Sequence, residues 1–109
     1  MNFLSRIEEM ILLAVWKLKD KAYGVSIRKQ VEKDTGIPWI SGAIYAPLNR
    51  LKKNGYVKTA RRKSAGGKIG RPCIYYELTP LGLNKLTAAQ DITRSMWAQV
   101  PNLKKCEKS

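Results

Sequence analysis

The sequence predicts a mainly α protein with a small β-hairpin (α+β), ending in a long C-terminal helix. Three observations carry that prediction. Three helix-length apolar segments fill the first half, each closed by a charged turn or a glycine. Two short runs rich in Tyr, Val, Ile and Thr then flank the glycine-rich SAGGKIGRP. Finally, Thr-Pro introduces one long periodic segment near the C-terminus. With 109 residues, 44% of them hydrophobic, the chain has material for one folded body and is too apolar for a disordered basic tail.

The first helix is expected from about Ser5 to Lys19. Ser5-Arg-Ile-Glu8 has the spacing of a capping box, in which hydroxyl and carboxylate each satisfy a free backbone donor. Its apolar residues, Ile7 to Leu18, wrap most of the perimeter, so this helix should be covered on more than one side. A second helix opens at Gly24 with Val25, Ile27 and Val31 inward and stops at Gly36. A third is expected from Ser41, read as its cap, to Asn54, with Gly55 as the stop. Ile44, Leu48 and Leu51 make its inward stripe. Rotation by 100° per residue puts Gly42, Ala46, Asn49 and Lys53 opposite, flanked by Tyr45, Arg50 and Lys52. Pro47 lies inside this helix and should bend it without ending it.

Tyr56 to Lys63 and Cys73 to Leu78 read as the two strands of a hairpin with a long tip. Thr79-Pro80 then supplies a cap and a first-turn proline for the last helix, which Pro101 ends. Leu86, Ala89, Ile92 or Thr93, Met96 and Val100 share one stripe of it. The divisions expected are 1-78 for the first body, 79-101 for the last helix and 102-109 for a basic, frayed tail.

Composition excludes several functions. The chain contains no histidine, which removes the commonest general base and metal ligand and argues against an enzyme. Cys73 and Cys106 have no partners at zinc spacing, so no metal or other cofactor is expected, and both read as reduced thiols of a cytoplasmic protein. The apolar run Met10 to Trp16 is far short of a membrane span, and no membrane partner is expected.

The charge is directed. Lys and Arg number 21 against 8 Asp and Glu, a net +13, yet no acidic residue falls between Asp34 and Glu77. Nine basic residues do: Arg50, Lys52, Lys53, Lys58, Arg61, Arg62, Lys63, Lys68 and Arg71. Each short run alone is more often a solvated face. Together, a positive third helix followed by a positive hairpin tip is the layout of a winged helix-turn-helix, with a helix sized for the major groove and a loop for the adjoining backbone. Asn49 and Arg50 add side chains able to pair with adenine and guanine edges. The competing reading is a basic winged-helix module that binds RNA or DNA without reading sequence, or docks in a larger assembly.

Four segments resemble the PadR family of transcriptional regulators: EEMILLAVWKL, AYGVSI, SGAIYAPLNRLKKNGYV and GRPCIYYELTPLG, together spanning roughly residues 4 to 86. The resemblance implies a winged-helix regulator, a repressor by family habit, that binds double-stranded DNA at a palindrome as a homodimer. It places the recognition helix on Ser41, Gly42, Ala43 and Tyr45, joined by Asn49, Arg50, Lys52 and Lys53 from the helix geometry. It places the wing on Gly67, Lys68, Gly70 and Arg71, with Arg61 and Lys63 leading into it. Two positions depart from the family pattern: proline follows the tyrosine by two residues, at Pro47, and Cys73-Ile74 stands where a basic pair is common.

The single terminal helix resembles the shorter PadR subfamily, in which that helix forms the dimer against the partner's first helix. Met10, Leu13, Trp16, Ile92, Met96, Trp97 and Val100 are the expected interface. Trp97 has two readings, a platform for a flat aromatic small-molecule effector across the dimer axis or simple interface filling, the commoner use of such a stripe. Trp16 and Trp39 are expected to be packing residues.

Overall fold

Ser5 begins the first helix as its spacing predicts. In the computed structural model, which describes residues 3–63, 72–101 and 103, the Glu8 N–H donates to the Ser5 hydroxyl at 3.2 Å and the Ser5 N–H to the Glu8 carboxylate at 2.8 Å. Helix α1 (Arg6–Leu18) passes through a 3₁₀ turn (Lys19–Lys21) to α2 (Gly24–Thr35), then α3 (Ser41–Lys53), strands β1 (Val57–Lys63) and β2 (Pro72–Leu78), and α4 (Pro80–Trp97). Gly36 ends α2 in the left-handed conformation that glycine adopts without penalty, φ 72°.

Three local expectations are corrected. Ser41 is the first residue of α3, and the cap position belongs to Ile40, whose backbone is extended and whose side chain makes no capping bond. Val25 faces outward, 42% exposed, because α2 is covered along Ile27 and Val31 only. Pro47 does not end α3; it is buried within the helix. The last helix stops at Trp97, a turn earlier than Pro101 suggests.

The core lies where α1, α2 and α3 meet. Ile11, Leu12, Ile27, Ile44, Leu48 and Leu51 are fully buried there, with Val15 and Val31 nearly so. Each such side chain contributes roughly 1.5–3 kcal/mol over an exposed one. The hairpin is antiparallel, Val57 opposite Leu78 through Lys63 opposite Pro72. It is joined to the helices by a bridge between Tyr23 and Tyr75 and by the Tyr76 N–H donating to the Ala22 carbonyl at 2.8 Å.

Helix α4 docks through its first turns. Thr79 caps it, accepting from the Gly82 N–H at 3.0 Å. Gly82 lies so close to the Tyr56 carbonyl that a Cβ there would overlap it. Only Gly82 and Leu86 of this helix are buried. The remainder overhangs the body, and the longest extent of the chain is 61 Å. Its radius of gyration, 16.4 Å, exceeds the ~13 Å expected of a compact chain this size.

Candidate nucleic-acid interface

The outward side of α3 is polar and open. Gly42, Tyr45, Ala46, Asn49, Arg50, Lys52 and Lys53 are exposed, Ala43 is half-buried, and Ile44, Pro47, Leu48 and Leu51 face the core. No atom lies within 4 Å of where a Gly42 Cβ would stand. Among the described residues no ion pair engages Lys52 or Lys53. Both ammonium groups, and the Asn49 amide between them and the helix start, are available to a ligand on this side.

The two flanks of the helix are anchored. Arg50 leans toward α1, its Nε 3.5 Å from Glu8 Oε2, so one carboxylate both caps α1 and holds the arginine. On the other flank Tyr45 lies against Gly24, where a Cβ would overlap the phenol ring. Burial, and the nearby Tyr45, push the Tyr76 hydroxyl above its ordinary pKa, so it stays neutral at physiological pH.

On the hairpin, Arg61 is exposed and Lys58 stands opposite Glu77 at 3.8 Å, a solvated pair worth little. Arg62 was not singled out by motif, yet it has the most defined position of the strand cations. Its guanidinium lies 5.0 Å from the Tyr75 ring centroid, and its Nη1 donates to the Asp20 carbonyl at 3.3 Å. Lys63 ends β1. Gly67, Lys68, Gly70 and Arg71 lie outside the described residues.

The turn between α2 and α3 is tightly bonded. The Trp39 N–H donates to Glu32 Oε2 at 2.8 Å, the Ile37 N–H to the Thr35 hydroxyl at 3.2 Å, and that hydroxyl to the Val31 carbonyl at 2.8 Å. The bond from Trp39, helped by Arg28 at 2.9 Å, holds the Glu32 carboxyl below its ordinary pKa. Trp39 packs against the core, as expected.

Two helices, α1 and α2, are thus followed by a third with a polar, basic outward side and by a basic hairpin. The family model for PadR-like transcriptional regulators matches residues 12–88, most of the chain. The chain belongs to the PadR-like family of transcriptional regulators. Its fold is accordingly a winged helix, α+β, in a family whose members bind DNA.

Solved structures agree. The PadR-like chain is similar to a PadR-like transcription factor from Bacteroides fragilis, with 26% identity, a TM-score of 0.71, and 86% of this chain and 85% of that one covered. It is similar to a PadR family transcription regulator from Clostridium difficile, with 28% identity, a TM-score of 0.65, and coverage of 86% and 88%. A PadR-like transcriptional regulator from Bacillus cereus shares the fold at 20% identity, a TM-score of 0.72 and coverage of 94% and 92%. No curated protein sequence matches the chain.

The expected interface residues of this PadR-like chain fall in separate places. Ile92 and Met96 line an apolar groove of about 440 Å³ between the start of α1 and α4, together with Phe3, Leu4 and Ala89. Met10 is half-buried and Leu13 exposed on α1. Trp97 and Val100 are exposed at the far end of α4. Trp16 does not line that groove. It is half-exposed beneath Lys19, whose ammonium is 4.9 Å from the ring centroid, in a concavity facing the hairpin. No helix among the described residues is long and apolar enough to cross a membrane.

Proposed function

We propose that this chain is a cytoplasmic, non-enzymatic repressor that reads a palindromic DNA operator as a homodimer. The observation that carries this reading is the outward face of α3, where Asn49 is exposed beside Lys52 and Lys53 on a helix that carries no acidic residue. Lysines there gain affinity by releasing counterions from phosphate. Asn49 can make a bidentate pair with adenine, and Arg50, half-exposed, exchanges its Glu8 contact for guanine. In this reading residues 1–78 form the DNA-binding body, with Lys68 and Arg71 on the wing, and residues 79–101 form the dimerisation segment. Of the basic tail expected over 102–109, all but Leu103 lies outside the described residues.

The dimer is supported by what α4 lacks. Beyond Leu86 none of its side chains is buried, although Ile92, Met96 and Trp97 are apolar. A helical stretch whose apolar side is only partly covered is marginal in water, and a second copy supplies the cover. Twofold symmetry in the protein then selects twofold symmetry in the operator. In the same dimer the exposed Trp97 indole is the platform on which a flat aromatic effector stacks to release DNA.

The test is a titration of a palindromic duplex, a scrambled duplex and a structured RNA at about 150 mM salt. Tighter binding to the palindrome is expected; equal affinity for all three replaces this reading with a module that binds nucleic acid without reading it. For the effector, quenching of tryptophan fluorescence by planar aromatic compounds should vanish in Trp97→Ala, and quenching that persists removes the platform.

A further inference from the structure

We infer that Ile40 is a specificity residue that reads the C5-methyl group of a thymine; the inference rests on the base-reading function proposed above and assigns one more contact to it. Three observations converge on this side chain. First, it occupies the cap position of α3, where Ser, Thr, Asn or Asp normally satisfies a helix N–H, and it makes no such bond. Second, it is 78% exposed, the most exposed large apolar side chain among the described residues. Four residues before Ile44, it would join the core stripe if helical, but its extended backbone, φ −78° and ψ 153°, takes it out of that stripe. Third, the turn that carries it is fixed. Trp39 is bonded to Glu32 through its N–H and packed against the core, while the Thr35 hydroxyl ties Ile37 to the end of α2.

An isoleucine that stands in a cap position and is held out in water gains free energy when an apolar group from outside the chain covers it. Its place names the partner. The N-terminal residues of a recognition helix are those that meet base edges, and Ile40 immediately precedes Ser41 and the open Gly42. The thymine methyl is the one apolar group on a major-groove edge. A β-branched side chain suits the task, because its χ1 is already restricted and little freedom is lost on contact.

The test begins with selection of a preferred duplex from a randomised pool by the full chain. Each thymine of that duplex is then replaced singly by uracil, which lacks only the methyl. One thymine per half-site should weaken wild-type binding about fourfold on replacement, the effect of one buried methyl. In Ile40→Ser the thymine-to-uracil ratio at that position should fall to about one, and Ile40→Val should retain it in part. Serine is a preferred cap, so Ile40→Ser should melt no lower than wild type and loss of fold does not confuse the result. A selected duplex with no methyl-sensitive thymine, or with sensitivity unchanged in Ile40→Ser, overturns the inference while leaving base reading intact. A pool that yields no preferred duplex overturns base reading itself.

Discussion

Met96→Glu tests whether α4 is covered by a second copy. Met96 is 74% exposed in the single chain and lines the groove with Ile92 and Phe3. Fully burying a methionine contributes about 2 kcal/mol, so covering three-quarters of it contributes about 1.5 kcal/mol. A twofold interface repeats the residue, which doubles the loss to about 3 kcal/mol, a factor of roughly 150 in the dimer dissociation constant. Removing a carboxylate from water adds to that figure, so it is a lower bound. Sedimentation equilibrium across a concentration series measures it directly. Gln90→Glu, an equal charge change at an exposed position away from the groove, should leave association unchanged. Binding to a palindrome should weaken in Met96→Glu while binding to an isolated half-site does not. A dissociation constant within about twofold of wild type would refute the argument that the overhanging half of α4 is an interface.

Three further outcomes are expected. Gly82→Ala should destabilise the fold by about 1–3 kcal/mol in chemical denaturation, because its Cβ would overlap the Tyr56 carbonyl oxygen and stand 3.0 Å from Leu78 Cδ1; an unchanged midpoint contradicts the close approach. Asn49→Ala should relax base preference at a cost of about 1–3 kcal/mol, whereas Lys53→Ala and Lys68→Ala should weaken all sequences alike and each reduce the salt slope by about one. Glu32 has a folded pKa below its ordinary 4.5, so the stability it contributes is complete above that value and is lost as pH falls through the folded value. Melting temperature should therefore fall less steeply on acidification in Glu32→Gln than in wild type, and parallel curves would deny the Trp39 and Arg28 bonds that role.

The helices were legible because their signals are local. Ser5 and Glu8 close a box three residues apart, Gly36 takes the left-handed conformation that glycine adopts without penalty, and Ile44, Leu48 and Leu51 repeat at helical spacing. The outward face of α3 follows from the same rotation, so the exposure of Asn49, Lys52 and Lys53 is legible in the sequence. What could not be read depends on contacts between distant segments. Nothing near Arg50 announces Glu8, 42 positions away, and nothing near Trp16 says that it turns toward the hairpin instead of α4. Val25 failed for a related reason: periodicity gives a stripe its direction but not its width, and α2 is covered over too narrow an arc to reach it. Pro38-Trp39-Ile40 reads as an extended stretch leading into α3, as it is, but the exposure of Ile40 follows from how the turn between α2 and α3 is bonded, which local spacing does not give.

The contacts that escaped the sequence also constrain how regulation can work. Tyr45 of α3 rests on Gly24 at the start of α2. The adjoining Tyr23 pairs with Tyr75 of β2, the rings 5.4 Å apart, and Arg62 of β1 spans from Tyr75 to the Asp20 carbonyl. Helix α3 and the hairpin are thereby tied to the same few residues, and tilting one against the other breaks several packed contacts at once. Helix α4, in contrast, meets the body only through Gly82 and Leu86 as buried residues. In the proposed dimer the soft degree of freedom is therefore the placement of one whole reading body relative to the other. A ligand on α4 has little leverage over the base contacts of a single half-site, but it can change the separation of two half-sites that a palindrome requires to be fixed.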